Sequence, residues 1–125
     1  MGKFILKQTN TGFLFELKAA NGEIIATSQV YTTKDSCRKG IASVRNNAPM
    51  AEVEDHTVEE FAVLKHPKFE LYTDKAGKTR FHLKAKNGEI IAVSQSYKEK
   101  AGAVNGIESV KANAPDADVE EAPKE

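Results

Sequence analysis

Asn21-Gly22-Glu23-Ile24-Ile25-Ala26-Thr27-Ser28-Gln29 returns 66 residues later as Asn87-Gly88-Glu89-Ile90-Ile91-Ala92-Val93-Ser94-Gln95. Working outward, the echo continues through Tyr31 and Tyr97, Lys34 and Lys100, Gly40-Ile41 and Gly106-Ile107, and Asn47-Ala48-Pro49 and Asn113-Ala114-Pro115. Residues 21–55 and 87–121 share 20 identities in 35 positions. Chance would give only about two, so the chain is one unit copied twice. Upstream the offset falls to 65, with Phe4 and Leu6 on Phe69 and Leu71. The second copy therefore holds one extra residue in its first turn, within Asp74–Lys78. A surface turn tolerates that change well.

Each copy reads as β-β-β-α-β. Phe4 and Leu6 alternate with Lys3, Ile5 and Lys7, the period of a strand. Phe13, Phe15, Leu17 and Ala19 share one face of the next strand, as do Phe81, Leu83 and Ala85 in the second copy. Asn21-Gly22 and Asn87-Gly88 predict hairpins with type I′ turns. Third strands follow at about 23–29 and 89–95. The period then changes. Cys37, Ile41, Val44 and Ala48 form one helical stripe, and Val104, Ile107, Val110 and Ala114 form the second. Thr32 with Asp35, and Ser96 with Glu99, fit capping boxes. Pro49 and Pro115 stop the helices. Gly40 and Gly106 interrupt them at the same point, which predicts close approach of helix to sheet. Short last strands are expected at 52–55 and 118–121.

One unit of this size has a marginal core. Two units that pool their sheets do not. The expectation is an α+β protein: one antiparallel sheet with two helices on one face, built from a first repeat at 1–57 and a second at 68–121. Residues 58–67 would link them. That linker carries Val58, Phe61, Val63 and Leu64, so it is expected to pack. Residues 122–125 would form a frayed tail.

The twice-recurring pattern resembles the YegP-like family, a domain of unknown function. It appears here as Phe15–Ala19, Asn21–Ala26, Ser28-Gln29, Tyr31, Lys34, Gly40–Val44 and Asn47-Ala48. The second copy matches in the same order, with His82 in place of Glu16. The resemblance covers nearly the whole chain apart from linker and tail. It implies paired β3-αβ units whose final strands are swapped between repeats, a monomer that imitates a dimer. It implies no activity.

Bulk charge excludes little and supports less. Lys plus Arg equals Asp plus Glu at 18 each. The first repeat carries 7 basic and 6 acidic residues, and residues 68–125 carry 10 of each. A nucleic-acid binder usually shows a basic excess. The single cysteine rules out an intrachain disulfide. The polar start, Met1-Gly2-Lys3-Phe4-Ile5-Leu6-Lys7, does not read as a secretory signal, and no apolar run is long enough for a membrane span. A cytoplasmic location is the expectation.

Few residues read as a site. Cys37 lies where the second copy has Ala103, so it is read as packing rather than as a reactive thiol. His56, His66 and His82 show no ligand spacing and are read as solvated; no metal or cofactor is expected. Ser28, Gln29 and Tyr31 recur as Ser94, Gln95 and Tyr97. No histidine stands near either serine in sequence, so nucleophilic catalysis is not read there. These residues are expected to fasten the strand-to-helix loop, with a duplicated ligand or peptide site as the sharper reading. Lys18, Lys84 and Lys86 alternate with core residues and are expected on the open sheet face. The leading reading is a non-enzymatic module binding a protein or small ligand. The alternative is weak nucleic-acid binding through those lysines.

Overall fold

A computed structural model describes residues 2–122. The first repeat runs β1 (Lys3–Gln8), β2 (Phe13–Lys18), β3 (Ile24–Thr27), α1 (Lys34–Asn47) and β4 (Glu52–Asp55). The second runs β5 (Lys68–Thr73), β6 (Thr79–Lys84), β7 (Ile90–Val93), α2 (Lys100–Asn113) and β8 (Asp118–Glu121). All eight strands form one sheet in the order β4-β5-β6-β7-β3-β2-β1-β8. The repeats meet where β3 pairs with β7 at Thr27 and Val93.

The last strands are exchanged. β4 of the first repeat lies on β5 of the second, and β8 of the second lies on β1 of the first. Both of these pairings are parallel, while the six central strands are antiparallel throughout. The sheet is therefore mixed rather than wholly antiparallel. Parallel neighbours need a crossover of about a dozen residues, and the segment 56–67 provides one between β4 and β5. The outer strands are short and acidic, Glu52-Val53-Glu54-Asp55 and Asp118-Val119-Glu120-Glu121. Such edges discourage pairing with another chain.

Each helix spans the join. α1 packs on β1, β2 and the other repeat's β7, and α2 packs on β5, β6 and the other repeat's β3. The core is one continuous cluster beneath them. Phe4 meets Phe15 edge to face at 5.8 Å, and Phe69 meets Phe81 at 5.9 Å. All four rings are fully buried. Burying such rings is worth about 2–3 kcal/mol each, and the cluster joins the rings of both repeats in one core.

The glycine expectation holds, with a specific cause. A Cβ on Gly40 would strike the Tyr31 hydroxyl, and one on Gly106 would lie 2.5 Å from that of Tyr97. Each tyrosine ring stacks at 6.4 Å on Phe15 or Phe81 and lays its tip across the helix backbone. The hairpin turns sit where expected but differ in kind. Gly22 and Gly88 have φ of 87° and 85°, while neither asparagine has positive φ. Gly22 N–H bonds to Ala19 C=O and Ala19 N–H to Glu23 C=O, both at 2.9 Å, so a three-residue loop ends on a glycine bulge. Asn21 contributes its side chain instead, whose Oδ1 accepts the Glu23 N–H. The caps also differ. Thr33, not Thr32, accepts the Ser36 N–H at 3.0 Å. α2 starts after Glu99 with no side-chain cap, and its buried stripe begins at Ala103 rather than at the expected Val104, which is 37% exposed.

Of the expected tail, residues 123–125 lie outside the described residues, and the Ala122 N–H bonds to Leu6 C=O at 2.8 Å. Among the described residues no helix is long and apolar enough to cross a membrane.

Candidate functional site

The duplicated Ser-Gln-x-Tyr segments leave each third strand and lead into the helix. Ser28 Oγ accepts the Phe15 N–H at 2.9 Å and donates to Gln29 C=O at 2.7 Å. Ser94 does the same with Phe81 and Gln95 at the same distances. Both hydroxyls are buried and fully engaged. The main chain of Tyr31 pairs with Phe13 through bonds of 2.6 and 2.7 Å, as Tyr97 does with Thr79. Burial, helped by the nearby Cys37, raises the Tyr31 phenol above its ordinary range. Gln29 and Gln95 remain exposed. These segments tie loop to sheet, and no nucleophile stands free in them.

Cys37 is completely buried. Loss of solvation pushes its thiol to about 11, so it stays protonated and inert at neutral pH.

The three lysines do not form one stripe. Lys18 and Lys84 stand on the open face, level with Ile24 and Ile90. Lys84 Nζ lies 3.1 Å from Glu70 Oε1, and the neighbouring Lys7 lies 2.9 Å from Glu16. Lys18 enters no ion pair among the described residues. Lys86 belongs elsewhere: it lines a groove with α1, on the helix side. The two-residue alternation fails there because β6 ends at Lys84 with a register shift, and the hairpin loop begins at Ala85.

A second constellation was not read from the sequence. One row crosses the open face through Glu54, Glu70 and His82, which are direct partners on β4, β5 and β6. Lys68 stands beside it, buried, with Nζ 2.7 Å from Glu54 Oε2 and 3.5 Å from Glu70 Oε2. His56 Nε2 lies 2.6 Å from Glu54 Oε1, and His82 Nε2 lies 2.5 Å from Glu70 Oε1. The linker closes over this end. The Leu64 N–H donates to Glu54 Oε2 at 2.6 Å, Lys68 donates to Leu64 C=O at 3.3 Å, and Phe61 stacks on His56 at 4.1 Å. The expected packing of the linker is met only in part: Leu64 is half-buried, while Val58, Phe61 and Val63 stay 45%, 40% and 80% exposed. His56 is exposed but hydrogen-bonded, and His82 is a half-buried, hydrogen-bonded group rather than a solvated one.

Burial alone would raise the Glu54 carboxyl. Hydrogen bonds from Lys68, the Leu64 N–H and His56 outweigh it and hold the group at about 2. The bond to Glu54 raises Lys68 in turn, against the opposite pull of burial. Glu54, His56 and Glu70 offer ligand atoms within 4.8 Å of one another. The Lys68 ammonium already occupies the cation position between the two carboxylates, and Lys84 balances the second charge. A divalent ion would have to displace a buried, doubly bonded lysine, so these residues do not fit a metal centre. One sequence signal could have found the cluster. Glu70 stands where the first repeat has the buried Ile5.

Comparison with known proteins agrees with the duplicated fold. The family described as "Domain of unknown function (DUF1508)" matches residues 9–55 and again 74–121. A UPF0339 protein of Bordetella pertussis is 41% identical over 116 residues, which is 93% of this chain and 91% of that one. The UPF0339 protein YegP of Escherichia coli K12 is 44% identical over 107 residues, 86% of this chain and 84% of that one. Two solution NMR structures share the fold. The UPF0339 protein SO3888 of Shewanella oneidensis has a TM-score of 0.79 at 34% identity, covering 96% of this chain and 90% of that one. The E. coli yegP protein, itself described as of unknown function, has a TM-score of 0.78 at 40% identity, covering 96% and 91%. The chain belongs to the DUF1508 family of domains of unknown function and carries that domain twice.

Proposed function

We propose that the protein is a small non-enzymatic binding module that contacts a protein partner through the middle of its open sheet face. One observation carries the reading. Ile24, Ile90 and Val93 lie on β3 and β7 with 38%, 43% and 36% of their surface exposed, on the side away from both helices. Val93 stands at the join, and Ile24 and Ile90 stand three residues from it in opposite directions, about 20 Å apart, so apolar side chains spread among charge along the central strands supply the kind of surface a protein interface uses. The duplicated serines are engaged in main-chain bonds, which leaves this face as the uncommitted surface.

The test is capture from native cell extract with the wild-type chain and with the double variant Ile24→Glu, Ile90→Glu. A species captured by the wild type after nuclease treatment, and lost in the variant, supports the reading. Capture that the variant retains refutes it. Nucleic-acid binding, the alternative, rests on Lys18 and Lys84. It predicts capture that nuclease abolishes and that falls steeply with salt.

A further inference from the structure

We propose that the groove between α1 and the β6–β7 hairpin binds a small anionic molecule of the phosphate-ester class. Lys39, Ser43, Asn46 and Asn47 of the first repeat line it, with Met50 at one end and Lys86 reaching in from the second repeat. Its volume is about 400 Å³, within the range of small-molecule sites.

Apart from Asn47, the polar groups there are donors with little internal employment. Lys86 enters no ion pair among the described residues. Lys39 lies 3.7 Å from Asp35, both side chains about 80% exposed, a contact that holds neither in place. Ser43 Oγ accepts from Asn47 Nδ2 at 3.1 Å and keeps its own proton free to donate. Two ammonium groups, a hydroxyl and the exposed Asn46 amide lining one groove suit a dianionic oxyanion such as a phosphate monoester.

The duplication separates what the fold requires from what it does not. Asn47 and Asn113 both donate to a serine carbonyl one turn back, at 2.7 and 2.8 Å, so that pair is structural. The remaining positions diverge. Where the first groove has Lys39, Asn46 and Lys86, the second copy has Asn105, Ala112 and Ala20. Where it has Ala42 and Met50, the second has Glu108 and Asp116. The positions that make the first groove basic are thus neutral or acidic in the second copy. The zero net charge conceals the difference.

The test is an amide NMR titration of the full chain with inorganic phosphate and with adenosine monophosphate, against sodium chloride at equal ionic strength. Shifts are expected at Lys39, Asn46 and Lys86 to Gly88, saturating with ligand. Residues 105–112 should stay still. Lys39→Ala with Lys86→Ala should weaken binding about tenfold or more. Both side chains are exposed, so the fold should survive, and an unchanged spectrum outside the groove checks this. Three results would overturn the proposal: no saturable shift, shifts equal to those with chloride, or shifts spread over Lys18 and Lys84 as well. Phosphate binding that survives in the double variant would overturn it too. Tighter binding of a single-stranded oligonucleotide than of the monophosphate, spreading beyond the groove, would replace the small molecule with a nucleic acid.

Discussion

Glu54→Gln is expected to cost about 3–5 kcal/mol of stability, the usual loss when one partner of a buried ion pair is removed. Glu54 is 3% exposed and Lys68 5%. Without the carboxylate, the ammonium keeps one distant charge, Glu70 at 3.5 Å, and the neutral Leu64 C=O at 3.3 Å. The acid–base behaviour gives a second route to the magnitude. The carboxyl sits at about 2 in the fold against an ordinary 4.5. That difference corresponds to about 3 kcal/mol of linked stability. Folding lowers this pKa, so the contribution is present above pH 4.5 and drains away as pH falls toward 2.

The duplication supplies the control. Glu120 occupies the same place on β8 and pairs with Lys3 at 2.8 Å, but the two side chains are 56% and 46% exposed. Glu120→Gln should therefore cost about 0–1 kcal/mol. The assay is urea unfolding of both variants and the wild type at neutral pH and at several acid values. Two findings would refute the reasoning: equal costs for the two substitutions, or a Glu54→Gln protein whose stability falls with acid as steeply as the wild type's.

Gly40→Ala gains about 1 kcal/mol in helix propensity but drives a methyl into the Tyr31 ring. A net loss of about 1–2 kcal/mol is expected, and a raised melting temperature would contradict the contact. Ser28→Ala and Ser94→Ala each strip a buried N–H, of Phe15 or Phe81, of its partner. Each should cost about 1–3 kcal/mol by denaturant titration, with similar values for the two because their surroundings match. Cys37 should resist a thiol reagent at pH 8 in the native protein and react at once in urea, since its thiol is buried and titrates at about 11. Rapid native labelling would show that α1 opens readily.

Much of the architecture could be read directly from the residues. The strand period of Phe4 and Leu6, the stripe from Cys37 to Ala48, and the bounds of β4 and β8 all match the structure. These features are local, set by alternation, helical spacing and proline. The failures have a common source in geometry beyond the local pattern. The parallel direction of β4 and β8 depends on which distant strand receives them. Lys86 was misplaced because alternation was carried past the end of β6. Helix entry at Thr33 rather than Thr32 is a one-residue choice made by backbone geometry. Apart from Glu70 standing at the place of Ile5, little in the sequence points to the Glu54–Lys68–Glu70–His82 cluster, because its members lie on three strands and its cover is the linker. No spacing in the chain encodes that meeting. The Ser-Gln-x-Tyr segments were found easily because they repeat, and they repeat because the loop needs them.

The strand exchange also orders events during synthesis. β1 leaves the ribosome early with its outer edge bare, and the strand that covers it is encoded more than a hundred residues later, at Asp118–Glu121. β5, by contrast, emerges soon after its partner β4. One flank of the sheet can therefore close before the second repeat is complete, and the other must wait for β8. The nascent protein carries an open seam along Lys3–Gln8 until Asp118–Glu121 has emerged to shut it.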